Sequence, residues 1–145
     1  MALRWWEDTA TGVIVASLSH DDLLLESLRA LVHTASIANG ILLSGIGSLS
    51  TGHIHIVSSN DYPPTNEFLH LPGPLEVINF GGIIAGYEPH IHIALWDAQH
   101  HYFGGHLEDG CRVLTLIELS ILRLRTLQLT RGSLDATPVQ LLKQP

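Results

Sequence analysis

The spacing of apolar positions changes character along this chain. Gly12 to Leu18 (GVIVASL) is a short, β-branched run with turn residues on both sides, which predicts a strand. Ser19-His20-Asp21-Asp22 then reads as a helix start with Ser19 as N-cap. Leu24, Leu25, Leu28, Leu31, Val32 and Ala35 recur at helical spacing, and Asn39-Gly40 supplies a left-handed stop. His33, near the end of this helix, is expected to satisfy its last carbonyls.

Beyond Gly40 the pattern turns to β. ILLSGIGSLS, GHIHIVSS, FLHL, PLEVINFGGIIAG, HIHIALW, HYFGGHL and VLTLIELSILRLRTLQL are short apolar or alternating runs, with the Pro-rich loop NDYPPTNE among them. Strands so closely spaced predict a mostly antiparallel sheet, and with the helix they make the fold class α+β. Gly45, Gly47, Gly81, Gly82, Gly104 and Gly105 fall inside these runs, which points to bulges or close backbone approach. From Val113 to Leu122 the last run is apolar on both faces, as in a covered central strand. The chain of 145 residues reads as a single domain, residues 1–145, with its core at about 12–129 and a C-terminal extension at 134–145. Leu141 and Leu142 give that extension something to dock.

Composition adds an expectation of self-association. Hydrophobic residues are 46% of the chain and charged ones 14%, too little charge to cover an isolated monomer comfortably. A formal charge of -7, with seven Lys and Arg in total, disfavours nucleic-acid binding by this chain alone. Cys111 has no partner for an intrachain disulfide and reads as a small buried residue. MALRWWEDTATG carries an acidic pair where a signal peptide needs an apolar stretch, and no transmembrane run is present. The expected location is the cytoplasm, without membrane association.

The chemistry concentrates in HIHIALWDAQHHYFGGH, His90 to His106, which holds five of the ten histidines. Residues two apart on a strand share a face, so His90 and His92 project together. The chain turns at Asp97 to His101 and returns through YFGGH, bringing His106 back beside the pair. If His92 falls opposite His106 the three imidazoles share one face, and a bulge at Gly104-Gly105 could correct the register if it does not. Three nitrogen ligands with a fourth position open are typical of catalytic zinc, although imidazole also suits other divalent transition metals. Glu118, inside TLIELSIL, reads as a carboxylate in a covered strand that needs a cation or donor. It is a candidate hydrogen-bond partner of the ligands, fourth ligand or general base, an ion pair with Arg112 or Arg123 being an equal alternative. A second HIH, His53 and His55, lacks a nearby returning histidine and ranks below the first; His100 and His101 read as solvated turn residues.

HIHIALWDAQHHYFGGHLEDG, followed by a strand with an internal Glu, resembles the plants-and-prokaryotes-conserved domain family. SHDDLLLESLRAL, ILLSGIGSLS and PLEVINFGGIIA extend the likeness from about Gly12 to Leu129. The resemblance implies an antiparallel sheet flanked by helix, a homotrimer, and a metal site at His90, His92 and His106. It also implies a fold similar to that of the acetolactate decarboxylases, and hence metal-assisted chemistry on a small molecule. The DNA association of the family goes with basic AT-hook motifs, and this chain has no Arg-Gly-Arg-Pro core. Two readings follow: a trimeric metal-binding protein acting on a small ligand, or a DNA-binding or transcription-associated assembly module.

Overall fold

In the computed structural model, residues 3–133 and 138–145 are described. The elements run β1 (Arg4–Asp8), β2 (Val13–Ser19), α1 (Leu24–Thr34), β3 (Asn39–Val57), β4 (Asn66–Ala85), β5 (Glu88–Asp97), β6 (Tyr102–Leu107), β7 (Arg112–Arg123), β8 (Thr130–Ser133) and β9 (Gln140–Lys143). The main sheet has the order β1-β2-β7-β3-β4-β5-β6, all antiparallel. β6 also pairs with β3, so β3 to β6 close into a ring. β9, in the expected extension, pairs in a separate two-stranded sheet with β8, which precedes it; residues 134–137 of that extension lie outside the described ones. The α+β class is as expected.

Several local expectations change. ILLSGIGSLS and GHIHIVSS are one strand of 19 residues, and FLHL and PLEVINFGGIIA are one of 20. Glycines and bulges bend these strands without ending them, with register shifts of β3 against β7 at Leu42/Ser44, Gly47/Leu49 and Leu49/Thr51. A Cβ on Gly45 would lie 1.8 Å from the Phe80 ring, so the bare backbone there makes room for a core aromatic. β1, not anticipated, pairs Trp5 with Ala16 and Trp6 with Val15.

The helix begins five residues after Ser19 and ends before Asn39. Ser19 closes β2, and the N-cap is Leu23, with no side-chain hydrogen bond. The left-handed residue past the helix is Ser36 (φ 53°), while Asn39-Gly40 already opens β3. His33 stacks on Tyr87 with ring centroids 5.3 Å apart. The carbonyls beyond the helix go instead to Arg123, whose Nη1 donates to Ser36 O at 2.7 Å and Nη2 to Ala35 O at 2.8 Å. The predicted apolar helix positions are all buried.

α1 packs on β5 and β7 over a core that includes Ile14, Leu18, Leu28, Leu49, Phe80, Ile93 and Ile117. Cys111 is buried, and burial pushes its thiol up to about 11, in keeping with an unreactive core residue. β7 departs from expectation. Val113, Ile117, Leu119 and Ile121 are buried, but the opposite face, with Leu116 and Glu118, is exposed. That face continues through Val15 and Ile46, so the second apolar side of β7 lies open in the single chain.

Candidate metal centre

β5 alternates between Pro89, Ile91, Ile93 and Leu95, which are buried, and His90 and His92, which face the other way. The hairpin to β6 keeps its register from Trp96↔Tyr102 to His92↔His106, so the expected opposition of His92 and His106 holds. No bulge is needed at Gly104-Gly105. Gly105 serves a different contact: a Cβ there would sit 2.4 Å from His55 O, so its bare backbone lets β3 close against β6. Gly82 does the same on the other side of β5, where a Cβ would meet His90 O at 2.0 Å.

The donor atoms of His90, His92 and His106 all lie within 4.8 Å of one another. His106 stands edge-on to both partners, with ring centroids 4.7 Å from His90 and 5.6 Å from His92. Burial, then the nearby Arg131 charge and the neighbouring imidazoles, push His90 down to about 4. Burial and then His55 lower His106 as well. Both rings are therefore neutral at neutral pH, with lone pairs free to bind a cation. Three imidazoles beside an open cleft fit a divalent transition ion, whose bonds to such nitrogens are about 2.0–2.1 Å long. The cleft has a volume of about 700 Å3, with Val57, Pro63 and Pro64 among its walls.

Closure of the ring brings in a fourth histidine. His55 on β3 lies opposite His106, with ring centroids 4.6 Å apart, and its Nδ1 is 2.5 Å from Glu108 Oε1. His55, His106 and Glu108 form a second donor set within 4.8 Å that shares His106 with the first. The lower ranking of this HIH pair is thus corrected for His55. His53 stays apart, stacked on His70 at 4.0 Å with its Nδ1 2.9 Å from Asp109 O. The signal for His55 was the same alternation as in β5; the partner strand was far away in sequence.

Glu118 does not join the site. It is exposed, opposite Ile46 and Ser17, and its partner Ile46 lies nine residues back along β3 from His55. Its expected arginine partners are engaged elsewhere, Arg112 with Asp21 and Arg123 with Glu7. The carboxylate beside the imidazoles is Glu108. His101 pairs with Asp97 at 3.1 Å in the exposed turn, as a solvated residue would.

An antiparallel sheet closed on one side around a histidine-lined cleft, with a helix over its core, defines an α+β domain with a candidate metal centre. Within that class the chain belongs to the Plants and Prokaryotes Conserved (PCC) domain family, whose model matches residues 7–125. A proposed DNA-binding protein of Bacteroides thetaiotaomicron VPI-5482 shares the fold, with a TM-score of 0.83 and 14% identity over 97% of this chain and 96% of that one. A metal-containing protein of Archaeoglobus fulgidus does so with a TM-score of 0.77 and 19% identity over 99% of each chain. A Staphylococcus aureus protein of unknown function similar to α-acetolactate decarboxylase is more distant, with a TM-score of 0.52 and 12% identity over 73% of this chain and 50% of that one. Among curated proteins, the bifunctional protein GlmU of Synechococcus sp. (strain JA-3-3Ab) is 30% identical over 96 residues, 66% of this chain but only 14% of GlmU. No helix among the described residues is long and apolar enough to cross a membrane.

Proposed function

We propose that this protein binds a divalent transition metal, zinc by preference, through His90, His92 and His106, and uses it on a small-molecule ligand in the cytoplasm. The observation that carries this reading is the convergence of three imidazole donors within 4.8 Å at the mouth of a cleft. His90, His92 and His106 would hold such an ion, which would supply Lewis acidity toward a ligand oxygen, and Glu108 orients His55 beside them through the 2.5 Å contact. The metal-containing relative of the same fold supports the reading.

The test is a metal census on protein never exposed to chelator or nickel resin. About one transition ion per chain is expected, and His106→Ala, which removes a donor from both sets, should abolish uptake. Metal-free wild-type protein, or unchanged uptake by the variant, would overturn the reading.

The functional object in this proposal is a homotrimer. Trp6, Val15, Ile46 and Leu116 are 59, 47, 51 and 41% exposed on one face of β1, β2, β3 and β7, an apolar area that copies of the chain would cover. Light scattering after size exclusion should give three times the chain mass, and Ile46→Lys should shift it to the monomer. The DNA-binding reading, carried by the name of a relative, is electrostatically weaker. The chain has a formal charge of -7, and Arg29, Arg112, Arg123 and Arg125 are already ion-paired. A mobility shift on duplex DNA at low salt would be required to revive it.

A further inference from the structure

Glu118 is a carboxylate set among exposed apolar side chains. Among the described residues it forms no ion pair. Its outward neighbours include Val15 on β2, Leu116 on β7 and Ile46 on β3. It borders a hollow of about 190 Å3 that Val15, Ser44, Leu119 and Ser120 also line. The polar groups of this hollow, a carboxylate and two serine hydroxyls, can all accept hydrogen bonds, as an incoming guanidinium requires.

Anything that covers this face strips water from Glu118, and a carboxylate buried without a cation is strongly destabilising. The cover must therefore bring a cation. The chain has seven Lys and Arg residues. Arg29, Arg112, Arg123 and Arg125 are ion-paired within it, and Arg131 and Lys143 belong to the β8–β9 sheet. Arg4 is left, and it is exposed on the same outward face as Glu118. It lies opposite Ser17, which lies opposite Glu118, so the two charges end one row that crosses β1, β2 and β7. Its contact within the chain is a single exposed hydrogen bond, donated by Nη2 to Ser17 Oγ at 3.4 Å.

Symmetry favours the same pairing. A three-fold ring joins unlike patches, so each chain has to present two complementary surfaces rather than one that matches itself. Arg4 on the edge strand β1 and Glu118 in the interior of the sheet supply such surfaces. We infer that the open face of β1, β2, β7 and β3 docks a second copy of this chain, with Arg4 of one copy entering the hollow beside Glu118 of the next. Val15, Ile46, Leu116 and Trp6 then exclude water around the pair. This inference rests on the homotrimer reading above and names the charges that set the register of its contact.

The experiment uses the full chain and reads its mass by light scattering after size exclusion over a dilution series. Glu118→Arg and Arg4→Glu should each weaken association at least about tenfold, because like charges then face each other across the contact. The double reversal should regain it. Both positions are exposed in the single chain, so circular dichroism should stay as in the wild type in all three variants. A second variant, Arg4→Cys with Glu118→Cys, separates a pair between copies from one within a chain. The two positions lie two strand spacings apart, roughly 10 Å, too far for an intrachain disulfide. Mild oxidation should therefore give covalent dimers and trimers that neither single cysteine variant gives, while the buried Cys111 takes no part. Single reversals that associate like the wild type, a double reversal no better than the single ones, absence of cross-linked species, or tighter association of Glu118→Gln overturns the inference. If Ile46→Lys dissociates the protein in the same series, the homotrimer reading still stands. A wild-type monomer overturns both.

Discussion

Neighbouring glycines at the histidine cleft should respond to the same substitution in opposite ways. A Cβ at Gly105 would lie 2.4 Å from His55 O and 3.0 Å from Ile56 Cγ2, whereas at Gly104 the nearest atom is Ile93 O at 3.4 Å. Backbone oxygen cannot rotate aside, so Gly105→Ala must push β6 away from β3 where Ile54 pairs with Leu107 and His55 with His106. Overpacking of this kind costs about 1–3 kcal/mol. Each ladder hydrogen bond stretched in the process adds about 1 kcal/mol. Gly104→Ala meets no such obstacle, and by restricting the unfolded chain it should be neutral or stabilise by up to about 1 kcal/mol. Urea midpoints at constant m-value measure both. Zinc affinity read by competition with a chromophoric chelator should follow, because Gly105→Ala displaces His106 from His90 and His92. Should the two alanine variants unfold at the same urea concentration and bind zinc equally, closure of the ring at Gly105 is not what positions His106.

Three further outcomes follow from the same coordinates. Glu108→Gln keeps the shape but loses the charge that holds His55, and should lower zinc affinity by about 10–100-fold in the same competition assay, with circular dichroism unchanged. Arg123→Ala removes one of the two guanidinium partners of Glu7, whose Oε2 is 3.0 Å from Arg123 Nη2, leaving Arg125, and strands the carbonyls of Ala35 and Ser36. The loss should be about 2 kcal/mol in urea unfolding, and a loss within error of zero would contradict it. Chelated protein should also lose stability in acid: His90, at about 4 when folded against 6.5 as the ordinary value, takes up its proton first in the unfolded chain. Its contribution is fully present above the higher of these values and declines as the pH falls toward the lower. His106 acts in the same direction, and His90→Gln should flatten the urea-midpoint profile across that window.

What could be read directly from the residues was whatever repeats over a short distance. The leucines of α1, the alternation along β5 and the short hairpin to β6 each carry their own period, and from them come the helix core face and the His90-His92-His106 set. His55 and Glu108 were out of reach because the contact that joins them spans 53 residues and depends on β6 pairing with β3 as well as β5. Ser19 and Asn39-Gly40 were misjudged as helix ends because tertiary pairing outweighed their local preferences: both lie in strands. Glu118 was misplaced for a different reason. An apolar run predicts that both faces of a strand will be covered, but not whether the cover belongs to the same chain.

The open face of β7 and the histidine cleft belong to opposite parts of β3, and that separation shapes how metal and assembly relate. Ile46, on the apolar face, pairs with Glu118 of β7, while His55, nine residues further on, pairs with His106 of β6. At the strand rise of about 3.3 Å per residue the two points are roughly 30 Å apart along an extended strand. A lysine at position 46 should therefore break self-association while leaving the imidazoles in place. The cleft, by contrast, is tied to the closure of a single chain: its donors come from β5 and β6, with His55 across the seam on β3, where only Ile54↔Leu107 and His55↔His106 are in register. An ion held across so short a seam adds its binding free energy to the least paired junction of the ring, because anything that binds the folded state alone stabilises it. Metal should then protect β6 against local opening more than it protects β2 or β7, whatever the oligomeric state.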